Sequence, residues 1–299
     1  SSVTNEKTSI SEAITQIEIP YLILAVVLLI STNFFLSIRW QLLLNVVNVN
    51  VGLIELVKLS FLGNFVSMFL PGMLCGDATK MYFVAKKTNR KLDVVFSTLV
   101  DRTFGIGCFA FQALIMTIIL YFFSDMNKED LYGPALSIAI LATFGFVGAL
   151  ILLTPRIRSF LRFENLFQKY NPFPNVTSFS TIGITIANNL GVLTKVIFYT
   201  LLAQGIAIIS VATLGVSLGL NVPLSQYFLF IPLIILLSAL PITPGGIGVM
   251  EELYLLYFAS TGDPAKVLLL ALLARVTMLL SSLPGSLVIL FGTKSVKQQ

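Results

Sequence analysis

Residues 240–252 read Leu-Pro-Ile-Thr-Pro-Gly-Gly-Ile-Gly-Val-Met-Glu-Glu, a stretch that ends one apolar helix and begins another. Prolines cannot donate backbone hydrogen bonds, and glycines permit positive φ angles and close backbone approach, so the chain is expected to unwind here. Unwound backbone at membrane depth is tolerated only where protein buries it or where it lines a wet cavity. The residues predicted to line such a cavity are Pro241, Thr243, Pro244, Gly245, Gly246 and Gly248.

A second break lies earlier in the chain, where residues 70–77 read Leu-Pro-Gly-Met-Leu-Cys-Gly-Asp. Pro71, Gly72 and Gly76 supply the same kind of interruption. Regions 53–90 and 224–262 each begin with an apolar run, break, and resume as a more polar helix. The pattern predicts two re-entrant hairpins, which enter the membrane and return to the side they left.

The rest of the chain is dominated by long apolar runs. Of its 299 residues 56% are hydrophobic and 11% charged, and the mean hydropathy of +0.92 requires lipid as a solvent. Five full spans are predicted, at roughly 20–39, 93–123, 131–153, 193–219 and 264–292. The predicted fold class is an all-α polytopic membrane protein.

Basic residues set the expected orientation. They cluster before the second span, after the third and after the last, and such loops favour the cytoplasm. Residues 1–19 are then an extracytoplasmic segment, 155–182 an amphipathic cytoplasmic connector on the membrane surface, and 293–299 a cytoplasmic tail. The hairpins fit this topology only if they enter from opposite sides.

An internal repeat supports the inversion. A shift of 173 positions lays Pro71-Gly72 on Pro244-Gly245 and, without a gap, Arg102 on Arg275. Each arginine lies about ten residues into a helix, roughly 15 Å deep in a hydrocarbon core about 30 Å thick. A single transmembrane domain, 20–292, is therefore predicted to hold repeat 1 (about 20–123), the linking span 131–153 and repeat 2 (about 193–292), an inverted arrangement typical of transporters.

Charged residues follow each break. Glu251 and Glu252 either cap the resuming helix or face the cavity, where the helix N-terminus is suited to a phosphate. Asp77 and Lys80 lie one turn apart on one face. Lys80 either extends to the headgroups or lies near a pathway, where Asp77 would neutralise or orient a cationic group.

Asp101 and Arg102 are adjacent in the chain, so each needs its own partner. Ionisable residues inside a membrane are functional candidates by default, but Asp77 or Glu251 could equally form a structural ion pair with Arg102 or Arg275. A pair that substrate breaks would be a gate. Arg39 and Trp40, by contrast, are expected to anchor the end of the first span at the interface.

Several function classes have no signal in the sequence. The chain has no histidine, and its two cysteines, Cys75 and Cys108, lie in apolar surroundings, so neither a metal site nor a disulfide framework is expected. No Walker loop, nucleophile elbow or nucleic-acid signal is present. We expect no cofactor, no nucleic-acid partner and no enzymatic activity.

The motifs resemble a known family. The run 240–252, together with Leu-Pro-Gly-Met-Leu-Cys-Gly-Asp and Val-Asp-Arg at 100–102, is similar to the lysylphosphatidylglycerol synthase transmembrane family, the flippase-like domain of the multiple peptide resistance factor. The resemblance implies a prokaryotic membrane and movement of aminoacylated or polyprenyl-linked lipids between leaflets. Its motif positions here are Pro244, Gly245, Gly246, Gly248 and Glu251, with Gly76, Asp77 and Arg102 in the first half. The chain stops at Gln299 without the family's aminoacyl transferase domain, which puts lysylphosphatidylglycerol in doubt as substrate.

The predicted function is therefore a stand-alone lipid flippase of the cell membrane. Arg102 and Arg275 would hold phosphate, while Asp77 and Glu251 would meet cationic or hydroxyl groups. The expected partners are anionic, aminoacylated or polyprenyl-linked lipids, with a separate lipid synthase and a second copy of the chain left open. The alternatives are an intramembrane enzyme acting on headgroups, an ion-coupled carrier of a small solute, and a structural partner of a synthase.

Overall fold

A computed structural model describes residues 18–69, 74–88, 90–124, 128–138, 185, 188–239, 243, 246–258 and 263–292. Every regular element within these ranges is helical. The helices are α1 (Ile19–Val46), α2 (Leu53–Phe69), α3 (Leu74–Lys86), α4 (Lys91–Phe123), α5 (Leu190–Ser217), α6 (Leu224–Ser238), α7 (Val249–Phe258), α8 (Pro264–Ser282) and α9 (Pro284–Gly292). The protein is an all-α polytopic membrane protein, as predicted.

Four of the five predicted spans are present as helices long and apolar enough to cross a membrane. They are α1, α4, α5 and the run Pro264–Val288 of α8 and α9. Pro284 divides this last run at a turn, because its ring prevents an unbroken helical hydrogen-bond ladder. The linking span 131–153 is described only to residue 138. A 3₁₀ turn at Lys128–Leu131 precedes it and leads into helix.

Other predicted features lie outside the described residues. These are the segment 1–17, the connector 155–182, the tail 293–299 and the breaker residues Pro71, Gly72, Pro241, Pro244 and Gly245.

The first span is longer than predicted, and this changes the environment of two residues. Because α1 continues to Val46, Arg39 and Trp40 lie inside it, with only 6% and 1% of their surfaces exposed. The prediction that they anchor the span at the interface is wrong. Both side chains point into the protein.

Both predicted hairpins are pairs of short antiparallel helices. In the first, Gly63 packs on Gly76 near the break, and Lys87 Nζ lies 2.6 Å from Glu55 Oε1 at the open end. In the second, the rings of Tyr227 and Phe258 lie 5.4 Å apart at the open end. The arms of 17, 13, 15 and 10 residues extend roughly 26, 20, 23 and 15 Å, each less than a hydrocarbon core of about 30 Å.

The two halves of the chain are inverted, which the packing of α1 against α5 demonstrates. Ser210 Oγ donates to Ala25 O at 2.9 Å, whereas at the other end Arg39 Nη1 donates to Thr200 Oγ1 at 3.3 Å. Ala25 precedes Arg39 in α1, whereas its partner Ser210 follows Thr200 in α5, so the two helices are antiparallel. The helices α1 and α5, which begin the two predicted repeats, are therefore antiparallel, as the predicted inversion requires.

The halves are also interleaved. The first hairpin arm of each half packs on the arginine-bearing helix of the other half: α2 on α8 and α9, and α6 on α4. Gly285 lies so close to Phe61 O that a side chain there would collide with the backbone. An aromatic cluster fixes the second hairpin, with ring centroids 5.1–5.9 Å apart among Tyr227, Phe230, Tyr254, Tyr257 and Phe258.

Candidate functional site

A cavity of about 230 Å³, lined by apolar, polar and charged residues, lies where the first hairpin, α1 and α4 meet α8 of the second half. Helices α1, α2, α3 and α4 of the first half supply most of its wall, and α8 of the second half supplies Met278 and Ser281. The other polar and charged residues that line it are Thr32, Asn33, Asn64, Ser67, Asp77, Lys80 and Arg102. A cavity that contains charged residues in so apolar a chain is the default candidate site.

The charges of this cavity form one cluster around Asp77. Lys80 Nζ lies 2.8 Å from Asp77 Oδ1, and Arg102 Nη2 lies 2.9 Å from Asp77 Oδ2. The side chain of Arg102 is 35% exposed, compared with 21% for Asp77 and 16% for Lys80. Two cations thus share one carboxylate, and the more accessible cation is the arginine. The ion pair of Asp77 with Arg102, which the sequence left open as one alternative, is present.

Local sequence explains how the cluster forms. Helix α3 begins immediately after the break, so Asp77 in its first turn and Lys80 one turn later point to the same side. Gly76 lies in the same turn, lines the cavity and packs against Gly63 of α2. The missing side chains let the two arms approach closely, which brings Asp77 within reach of Arg102 on α4.

A neutral polar wall, formed by α1 and α2, completes the cavity. Asn64 Nδ2 donates to Asn33 Oδ1 at 2.6 Å, and a short distance along the same interface Ser37 and Ser60 are 3.0 Å apart. The sequence alone assigned no role to these residues. The available signal was the spacing of Asn33 and Ser37, which places two polar groups on one face of an otherwise apolar span.

The second half contains an equivalent ion pair that is more tightly bonded. Arg275 Nε donates to Glu251 Oε1 at 2.6 Å, and Nη2 donates to Glu251 Oε2 and to Gly246 O, both at 3.1 Å. Glu251 also accepts a hydrogen bond from Gly248 N at 2.8 Å, so it caps α7 as well. The carboxylate therefore occupies the helix N-terminus that was predicted to receive a phosphate.

The unwinding predicted for this break is present. Gly246 and Gly248 have φ angles of +69° and +85°, which side-chain-bearing residues rarely adopt. Thr243 is half-buried, and Glu252 is exposed on α7. Among the described residues, the cavity lining does not include the Glu251–Arg275 pair. It also lacks the other described residues predicted for this site, which are Thr243, Gly246, Gly248 and Glu252.

A third ion pair lies within the first half, and its arginine also bonds to the second half. Arg39 Nε and Nη2 each donate to a different oxygen of Asp101 at 2.6 Å, and Nη1 reaches Thr200 of α5. The sequence predicted that Asp101 needs a partner away from Arg102, and this is confirmed. It did not identify Arg39. Asp101 and Arg102 thus diverge from adjacent positions, one into the protein core and the other into the cavity.

Comparison with known proteins agrees with these observations. Residues 5–285 match the family described as the lysylphosphatidylglycerol synthase TM region. The chain is also similar to the UPF0104 membrane protein PH1989 of Pyrococcus horikoshii, with 21% identity over 298 residues that cover 93% of this chain and 88% of the relative. Because the family match extends over nearly the whole chain, including both hairpins and Arg39, Arg102 and Arg275, this protein belongs to the lysylphosphatidylglycerol synthase transmembrane family.

Proposed function

We propose that this protein moves lipids between the two leaflets of a cell membrane by carrying the headgroup through the Asp77–Lys80–Arg102 cavity. The observation that carries the proposal is a charged, partly accessible cavity inside a domain whose outer surface is apolar. A headgroup can exchange water for these polar groups while the acyl chains stay in lipid. This removes the main barrier to leaflet exchange.

The inverted halves support an alternating mechanism. Met278 and Ser281 of the second half line the same cavity as Asp77 and Arg102 of the first. A displacement of one half relative to the other would therefore change the width and the opening of the cavity. Inverted repeats supply two such states of similar energy, each open to one side. We place the N-terminus outside and the C-terminus in the cytoplasm, because the basic loops favour that side.

We further propose that the lipid leaves unchanged, so the protein acts as a transporter and not as an enzyme. Pure protein in liposomes with fluorescent neutral, anionic and aminoacylated phospholipids tests this directly. Dithionite quenching measures movement between leaflets, and mass spectrometry of the recovered lipids measures any headgroup chemistry. We expect movement of at least one lipid class without a change in lipid mass.

The matched variants are Arg102→Gln, in the cavity, and Lys87→Gln, in the exposed Lys87–Glu55 ion pair at the open end of the first hairpin. Arg102→Gln should reduce movement about tenfold or more, because it removes a charge-assisted contact to the headgroup. Lys87→Gln should behave as wild type. If wild type, Arg102→Gln and protein-free liposomes do not differ, the protein is not a lipid transporter. Altered lipid mass would instead indicate an enzyme.

A further inference from the structure

The three arginines at membrane depth use their hydrogen-bond donors very differently. Arg39 donates from Nε, Nη1 and Nη2, and Arg275 donates from Nε and Nη2 to two different residues. Arg102 has a single ion pair, through Nη2 to Asp77. Among the described residues, no hydrogen-bond acceptor pairs with Nε or Nη1 of Arg102. Its side chain is also the most exposed of the three.

Donors left without partners inside a membrane protein are costly unless a ligand or water meets them. A guanidinium offers its N–H groups in a planar fork that matches two oxygens of a phosphate or carboxylate. Arg102 lines the cavity with that fork incompletely used. The chemistry that it fits is an oxyanion.

The charge of the cavity sets the valence of that anion. Its charged lining residues are Lys80 and Arg102, each positive, and Asp77, negative, so their sum is +1. One negative charge on the ligand would bring the site to neutrality, whereas a dianion would leave an excess charge in a low-dielectric environment. Buried charge without compensation is strongly unfavourable.

The volume limits the size of the group. At about 230 Å³ the cavity is smaller than the roughly 300–1,000 Å³ of most small-molecule sites. This space suits a phosphate with a small polyol better than an oligosaccharide. Asn33 and Asn64, which are bonded to each other in the cavity lining, present amide groups suited to hydroxyls.

We propose that the cavity selects a singly anionic phosphodiester headgroup bearing a small neutral substituent, with Arg102 as the principal phosphate ligand and Asp77 as the internal anion that substrate displaces. This inference rests on the proposed function and narrows its substrate class. It disfavours headgroups with a net positive charge, such as the lysylated one in the family's name, because their amines would face Lys80 and Arg102. It also disfavours diphosphate-linked glycans by charge and size.

The chain contains its own reporter for this site. Trp40 is the single tryptophan, is almost fully buried, and lies beneath Lys80, with Nζ 5.2 Å from the ring centroid. An anion that displaces Asp77 from Lys80 changes the electric field at the indole. Tryptophan emission of the detergent-purified full chain therefore measures binding without requiring transport.

The test titrates short-chain phosphatidylglycerol, phosphatidylcholine, lysylphosphatidylglycerol and phosphatidic acid, and, as soluble phosphates, glycerol phosphate and inorganic phosphate. We expect phosphatidylglycerol to bind about tenfold or more tightly than each of the others. Arg102→Gln should weaken that binding about tenfold, Arg102→Lys less, and Lys87→Gln not at all. Equal binding of phosphatidylcholine or lysylphosphatidylglycerol would overturn the charge selection.

A gain in affinity for phosphatidylglycerol on replacing Asp77 would show that this carboxylate competes with the ligand and is not merely structural. Asp77→Asn removes the internal competitor and raises the net charge to +2, so it should tighten phosphatidylglycerol binding about tenfold and shift the preference toward doubly charged phosphatidic acid. Loss of binding in Asp77→Asn, with the emission of the unliganded protein unchanged, would overturn the displacement. If the soluble phosphates bind as tightly as phosphatidylglycerol, the site serves a solute and not a lipid.

The two proposals fail separately. Selective binding without leaflet exchange in liposomes would retain the headgroup site and refute the flippase. Leaflet exchange of all lipids at equal rates would retain the flippase and refute the selection.

Discussion

Arg39 and Asp101, on α1 and α4, form a bidentate ion pair whose two side chains are each only 7% exposed. Through Thr200, the same arginine also bonds to α5 of the second half. The neighbour of Asp101 in the chain, Arg102, lies in the cavity. The buried pair therefore holds in place the helix turn that presents Arg102 to a ligand.

Asp101→Asn should destabilise the protein by about 3–5 kcal/mol, because it leaves Arg39 buried and without its counter-charge. Denaturant titration in mixed micelles measures the change. The control is Glu55→Gln, which breaks the exposed pair with Lys87 and should cost less than about 1 kcal/mol. Equal losses in the two variants would mean that the buried pair is not a structural contact.

Glu251→Gln separates the two roles of that residue. The amide oxygen can still accept from Gly248 N and cap α7, but the charge that pairs with Arg275 is lost. We expect a loss of about 3 kcal/mol in stability, since the partner cation stays buried. Adding Arg275→Met should recover part of it. A double variant as unstable as the sum of the singles would show that the charges are not coupled.

Gly76→Ala should separate the arms of the first hairpin. The added methyl group would collide with Gly63 O and Ser67 Oγ, so we expect about 1–3 kcal/mol of destabilisation and a collapse of headgroup binding. Gly107→Ala is the matched control, because that helical glycine has nothing within 4 Å of an added Cβ. It should be neutral or stabilising by up to about 1 kcal/mol. Similar melting temperatures for the two variants would contradict the tight packing.

Gly248→Ala tests backbone conformation in isolation. An added Cβ meets nothing within 4 Å, so the expected cost of about 1–2 kcal/mol comes only from φ = +85°. Gly205→Ala, which is equally open but helical, should show no such cost. The same stability for both would mean that the second break does not hold this glycine in the left-handed region.

The orientation is tested with single cysteines at Lys87 and Asn221 in a background without Cys75 and Cys108. Both positions are exposed, and the proposed topology places Lys87 in the cytoplasm and Asn221 outside. A membrane-impermeant maleimide applied to intact cells should label Asn221→Cys only, and Lys87→Cys should react only after permeabilisation. Labelling of both from outside would refute the inverted insertion of the hairpins.

The sequence predicted the fold more completely than it predicted the candidate site. Hydropathy placed four described spans, and the Pro-Gly breaks placed both hairpins, because each signal is local in sequence. The offset of 173 residues that relates Arg102 to Arg275 predicted the inversion, and ion pairs of these arginines with Asp77 and Glu251 were among the alternatives that the sequence left open. The predicted interface role of Arg39 and Trp40 was wrong. The first span was predicted to end at residue 39, but its helix continues for about two more turns to Val46.

The sequence by itself determined that this is a membrane protein of two related halves, each with a broken hairpin and a deep arginine. Lipid forces every spanning segment to be helical and long, which composition alone reveals. Only the tertiary structure decided which arginine is buried in the protein and which is accessible from the cavity. A membrane helix is apolar on its lipid face and on its protein face alike, so no amphipathic pattern indicates its rotation. Close packing between distant helices sets that rotation. It directs Arg39 and Arg275 to partners away from the cavity, and Arg102 to Asp77 inside it.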